Sequence, residues 1–149
     1  MFDKVTKLLG LKAKPVEKTR NDLQLATAAL LVYVSRADGD FSADERAQLL
    51  TCMIEHFGME SEDASQILDD AEAQQQEATC LYKFTKAITD ELEQDGRQDI
   101  VRLLWRVALA DNHIDNFEAN VLAKVSGLLG VSTRDRVALK HEVEAELAG

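Results

Sequence analysis

Six carboxylates fall into two spaced sets: Asp38, Asp40 and Glu45 lie within eight residues, and Asp111, Asp115 and Glu118 lie within eight more. Oxygen-rich sets of this kind suit hard divalent cations such as Ca²⁺, Mg²⁺ or Mn²⁺. Asp38 and Asp111 each close an apolar run that reads as a helix. The helix macrodipole disfavours an anion at that end by roughly 0.3–1 kcal/mol. An acid in that place twice therefore calls for compensation. A bound cation is one source. A local turn is the other, because an Asp side chain can accept from backbone N–H groups two residues on. Glu45 and Glu118 also have a structural reading. Each stands three residues after a capping residue, Ser42 or Asp115, as the partner in a capping box. Both readings of the six acids stay open at this stage.

Other donors are sparser. Asp38-x-Asp40-x-Ser42 looks like the start of an EF-hand loop, but the sixth position is Ala43 and the twelfth is Leu49. An EF-hand needs Gly and Glu there, so that motif is rejected. His113 could add a nitrogen ligand to the second set, or simply face solvent. Cys52 and His56 stand four apart on one expected helix face and could begin a zinc site. The competing reading is a core thiol beside a surface histidine. His141 has no evident partner. No phosphate-cradling glycine loop, Gly-x-Ser-x-Gly or His-Glu-x-x-His is present. Paired carboxylates could do acid–base work, but capped helix starts supply such pairs routinely. The expectation is a protein that is not an enzyme.

These residues are positioned by helices. One proline and seven glycines in 149 residues are few breakers, and no segment alternates at period two. The fold class expected is all-α: a compact bundle of about seven helices containing two pseudo-repeated helix–acidic loop–helix units. Residues 1–18 read as a short basic arm, with one short amphipathic helix over 2–9 ended by Gly10 and a linker at Pro15. Residues 19–149 read as the domain. Leu23, Ala26, Leu30, Tyr33, Val34 and Ala37 give the first core helix, about 20–37, an apolar stripe. A second helix runs from the Ser42 cap to Phe57 and stops at Gly58. A third covers 61–76, and a fourth carries Leu81, Phe84, Ile88 and Leu92. Asp95-Gly96 reads as a turn. Ile100, Leu103, Leu104, Val107 and Ala108 mark the next helix. Asp115 caps another that stops at Gly130, and Ser132 caps a last one carrying Val137, Leu139, Val143 and Leu147. Trp105, Tyr33 and Phe57 are read as core.

The two acidic units align with each other. Placed 73 positions apart, Leu30, Leu31, Val34, Ala37, Asp38, Glu45 and Leu49 match Leu103, Leu104, Val107, Ala110, Asp111, Glu118 and Leu122. Both read apolar helix, Ala-Asp, short loop, capped helix with Glu. On these residues the chain resembles the TerB-like tellurite-resistance family. That family's pattern is an apolar helix ending in Ala-Asp-Gly with a Glu seven residues after the Asp. Ala37-Asp38-Gly39…Glu45 matches it, and Ala110-Asp111…Glu118 matches with Asn112 in the glycine place, where Asn tolerates a left-handed backbone. The resemblance covers roughly 22–140. It implies a helical bundle associated with tellurite and other chemical stress, and it supplies no reaction.

Charge and compartment bound the partners. The formal charge is -10, yet residues 1–20 carry six basic side chains against Asp3 and Glu17. Residues 60–95 hold eleven acids against Lys83 and Lys86. An acidic surface repels phosphate backbones, so no nucleic acid is expected. A cation, a basic protein surface or a membrane-associated complex fits better. Cys52 and Cys80 sit in apolar helical pattern and read as free thiols. No signal-peptide apolar region follows the start, and Ala26–Val34 is too short to span a bilayer, so the expected compartment is the cytoplasm. The cofactor expectation is a divalent metal ion. The alternative is a non-catalytic helical module presenting an acidic face to a protein or membrane-associated partner. The sequence does not set the oligomeric state.

Overall fold

The computed structural model describes residues 15–36, 42–76, 81–110 and 116–149, and the side chains of 15–21, 75–76 and 116–118 lie outside that description. Seven α-helices make up the described residues, with no strand among them: α1 Pro15–Ser35, α2 Ala43–Phe57, α3 Ser61–Gln76, α4 Leu81–Glu91, α5 Gln94–Leu109, α6 Asn116–Leu128 and α7 Thr133–Ala148. The expected short amphipathic helix over 2–9 lies outside the described residues.

α1 is the hub. It packs against α2, α3, α4, α5 and α6. The expected one-sided stripe is too narrow a description of it. Ala28, Ala29, Leu31 and Val32 are as fully buried as Ala26, Leu30 and Val34, whereas Leu23 and Tyr33 are only half-buried. A helix with neighbours on every side is apolar all round, and its periodicity fades accordingly. Thr27 is buried here without cost, because its hydroxyl donates to the Leu23 carbonyl at 2.8 Å. The helix also starts earlier than expected. Pro15 opens α1 rather than a linker. Its missing N–H is no loss in a first turn, where that group has no intrahelical acceptor.

The helix ends follow their capping chemistry. Ser42 accepts from the Glu45 N–H at 3.1 Å, and the Glu45 carboxylate accepts from the Ser42 N–H at 2.9 Å. Gly58 ends α2 in the left-handed conformation, φ 65°. After α6, the Val131 N–H donates to Ser126 and the Gly130 N–H to Gly127, with Gly130 at φ 77°. That pair of bonds is a Schellman motif, and the apolar residue that follows it, Val131, is buried as the motif favours. Ser132 then accepts from the Asp135 N–H at 3.1 Å and starts α7.

Two expectations fail locally. Asp95-Gly96 is the first turn of α5, not a separate turn. An acid is favoured at a helix N-terminus. The glycine is needed for approach: a Cβ at Gly96 would meet Leu92 side-chain carbons at 3.1–3.3 Å. Arg97 then bridges the joint, donating to the carbonyls of Leu92 at 2.8 Å and Thr89 at 2.9 Å, so it satisfies the end of α4. On α7, Leu139 and Val143 enter the core, but Val137 and Leu147 are 41% and 51% exposed. α7 is an outer helix whose main packing among the described residues is on α5 and α6. The Trp105 indole N–H donates to the Arg136 carbonyl at 3.0 Å and anchors its first half.

Replacing each left-handed glycine by alanine separates two effects. Gly58→Ala meets no atom within 4 Å and carries only backbone strain, about 1 kcal/mol. Gly130→Ala adds a contact of 3.2 Å with the Arg97 guanidinium and is expected to cost more. Urea unfolding checks the order, and equal losses would show that Arg97 yields freely.

Candidate functional site

Of the six acids, the described side chains include Glu45 alone. It is half-buried at the start of α2, with Oε1 occupied by the Ser42 N–H, while Oε2 takes part in no described bond. The capping role is thus real, and it does not exhaust the carboxylate. Glu118 lies in the first turn of α6, with its side chain outside the description. Asp38, Asp40, Asp111 and Asp115 lie outside the described residues, as do His113 and Cys80. What the fold settles is the framing. α1 and α5 pack together and run into the two acidic segments, and α2 and α6 leave them. Ala110 closes α5 in right-handed geometry, its N–H donating to Val107. Of the matched apolar residues, Leu30, Leu31, Leu49, Leu103, Leu104 and Leu122 are all buried.

The Cys52–His56 pair sits elsewhere. Both line a cleft of about 420 Å³ with Glu55, Leu103, Arg106 and Glu146. Its charged wall is already satisfied, since Arg106 grips Glu146 with two bonds, Nε to Oε2 at 3.0 Å and an η-nitrogen to Oε1 at 3.1 Å. That bond holds the Glu146 carboxyl below its ordinary value. Burial pushes the Cys52 thiol up, away from the thiolate that would bind a metal or attack an electrophile. Desolvation on the cleft side pushes His56 down from 6.5, with Asp99 opposing and Arg106 adding to it. No group of three His, Cys, Asp or Glu among the described residues is placed to hold a metal. Cys52 is a half-buried free thiol beside an exposed histidine stacked edge-on against Phe57 at 4.7 Å.

A second cleft was not visible in the sequence. It measures about 590 Å³ and lies between the first half of α1, the α2–α3 joint and α3. Leu25, Phe57, Met59 and Ile67 form its half-buried floor, and Asp22, Glu60, Asp63 and Asp70 its exposed rim. Met59, an apolar residue outside any helical stripe, was the available signal.

With this geometry in hand, comparison with known families is informative. The family model described as "Tellurite resistance protein TerB" matches residues 24–141, roughly four-fifths of the chain. The chain belongs to this family. Searches of curated proteins and of solved structures gave no match. No described helix is long and apolar enough to cross a membrane.

The His56 environment predicts a pH dependence. Its folded pKa lies below 6.5, so the unfolded chain binds the proton more readily. The stability it contributes is full above about 6.5 and is lost as pH falls through the folded value. Denaturant unfolding should weaken from pH 7 to 5, and His56→Gln should flatten that slope. An unchanged slope would remove His56 from the account.

Proposed function

We propose that this TerB-family chain is a non-enzymatic stress protein that binds a divalent cation through its two acidic junctions. Asp38, Asp40 and Glu45 form one donor set, and Asp111, Asp115 and Glu118 the other. The observation that carries this reading is the recurrence of Asp-x6-Glu at both junctions, each inside the matched range. An anion at a helix C-terminus is unfavourable, and a bound cation would offset that cost at both junctions at once. All the donors are carboxylates, which suits Ca²⁺, Mg²⁺ or Mn²⁺ better than a soft ion. The remaining Oε2 of Glu45 is compatible with a bound ion while Oε1 keeps its cap. Tellurite and related chemical stress are the setting the family suggests, and the cytoplasm is the compartment we assign.

A second reading rests on a separate observation. Glu62, Asp63, Asp69 and Asp70 are all exposed on α3, and among the described residues only Asp69 of the four is in an ion pair, with Arg46 at 2.6 Å. Such a face suits a basic protein surface.

Thermal unfolding of chelator-stripped protein tests the metal. One ion at about 100 times its dissociation constant should add roughly 2.7 kcal/mol, and Asp38→Ala with Asp111→Ala should abolish the gain. No gain with Ca²⁺, Mg²⁺, Mn²⁺ or Zn²⁺ would refute the site. Glu45 separates charge from capping. Glu45→Gln keeps an oxygen for the Ser42 N–H, so it should leave the metal-free stability nearly unchanged and weaken the ion's effect. Glu45→Ala should also cost the metal-free protein about 1 kcal/mol. Equal ion responses in the wild type and Glu45→Gln would remove Glu45 from the donor set.

A further inference from the structure

The acidic cleft beside α1 has a floor and a rim that ask for different things. Its floor, Leu25, Phe57, Met59 and Ile67, is packed on the core yet only half-buried. Its rim is four carboxylates, Asp22, Glu60, Asp63 and Asp70, and no lysine or arginine among the described side chains lines it. None of the four takes part in an ion pair among the described residues; Asp70 accepts only from the neutral Gln66 amide, at 3.1 Å. An occupant that fits must bring apolar side chains flanked by positive charge.

The chain carries such a segment next to the cleft. Residues 1–14 hold Lys4, Lys7, Lys12 and Lys14 against Asp3 alone. Phe2, Val5, Leu8 and Leu9 recur at helical spacing between them. The segment joins α1 at Pro15, and Asp22, seven residues on, is part of the cleft wall. At 1.5 Å per residue the two points are roughly 10 Å apart along the helix. Fourteen residues reach up to about 45 Å when extended, so the tether does not limit docking. Two further clefts also include Asp22, but Lys83 lines one and Lys83 with Lys86 the other. Those lysines offset the acids of both clefts, so among the described residues the four-carboxylate rim is the most negative of the three.

We propose that residues 1–14 dock in the cleft formed by Leu25, Phe57, Met59 and Ile67, with their lysines on the rim acids. The apolar side chains of the arm cover the floor, and Lys4 and Lys7 neutralise Asp63, Asp70 or Glu60. Attachment to the same helix gives the arm a high effective concentration, so an external basic partner must compete with it. This inference is independent of the cation site, and failure of either leaves the other standing.

Methyl- and amide-labelled full-length protein in solution tests it by NMR. The expected result is nuclear Overhauser contact from Phe2, Val5, Leu8 or Leu9 to Met59 and Ile67, with order parameters for residues 2–9 near those of the helices, about 0.8. The surface change Glu60→Lys/Asp63→Lys/Asp70→Lys should erase these contacts and drop the arm below about 0.6. Lys4→Glu/Lys7→Glu should do the same from the other side, and added salt should act in that direction. An arm already mobile in the unchanged protein would overturn the proposal. So would contacts to another surface, contacts seen only between differently labelled copies, or an arm that stays ordered in both variants. Order that appears only when anionic phospholipid vesicles are added would assign the arm to a membrane and overturn it too.

Discussion

From Ala26 to Ser35, only Tyr33 keeps appreciable contact with solvent, and five other helices pack against this stretch. Everything else in the fold is arranged to make that enclosure possible. Small residues at 26, 28 and 29 let the neighbours approach closely, because side-chain size sets the interaxial distance. Leu30, Leu31, Val32 and Val34 then fill the space on all sides. Burying this much aliphatic surface is the main favourable term, at roughly 25 cal/mol per Å². The price is that a polar group in this stretch needs a partner: the Thr27 hydroxyl finds one in its own helix, whereas the buried Ser35 Oγ at the helix end has none among the described residues.

The enclosure confines any chemistry that α1 can frame to its two ends. Its middle has no surface to offer. Its C-terminal end runs toward Asp38, the first acid of the repeated motif, and its N-terminal half forms a wall of the acidic cleft. The outer helices hold their places by lighter means. Arg102 pairs with Glu142 at 2.8 Å and Arg106 with Glu146 at 3.0 Å, one helical turn apart along the α5–α7 contact. Such exposed pairs contribute about 0–1 kcal/mol each, so they set register more than stability. Buried anchors such as Trp105 carry the rest.

Much of this was legible in the sequence, for identifiable reasons. Ser42 with Glu45, Ser132, Gly58 and Gly130 carry local backbone chemistry that acts the same way in any context, and those helix ends fall where these residues put them. The family was legible for a similar reason, since Ala-Asp-x6-Glu is a local pattern repeated twice. What failed depended on tertiary neighbours. Asp95-Gly96 has turn composition, yet close packing on Leu92 makes the glycine a helix residue. Val137 and Leu147 continue an apolar period on α7, but no described element covers them. The acidic cleft joins Asp22 to Asp70 across three helices, and no window along the chain contains both. The junction acids beyond Glu45 carry their signal in type and spacing, and the chemical question they pose is cation binding.

Anomalous X-ray scattering from crystals grown with Mn²⁺ answers that question most directly. The predicted result is a peak within bonding distance of the Asp38 or Asp111 carboxylate, lost when both are changed to alanine. Clear density for both aspartates turned onto backbone N–H groups, with no peak at either junction, would contradict the cation site and leave these acids as turn formers.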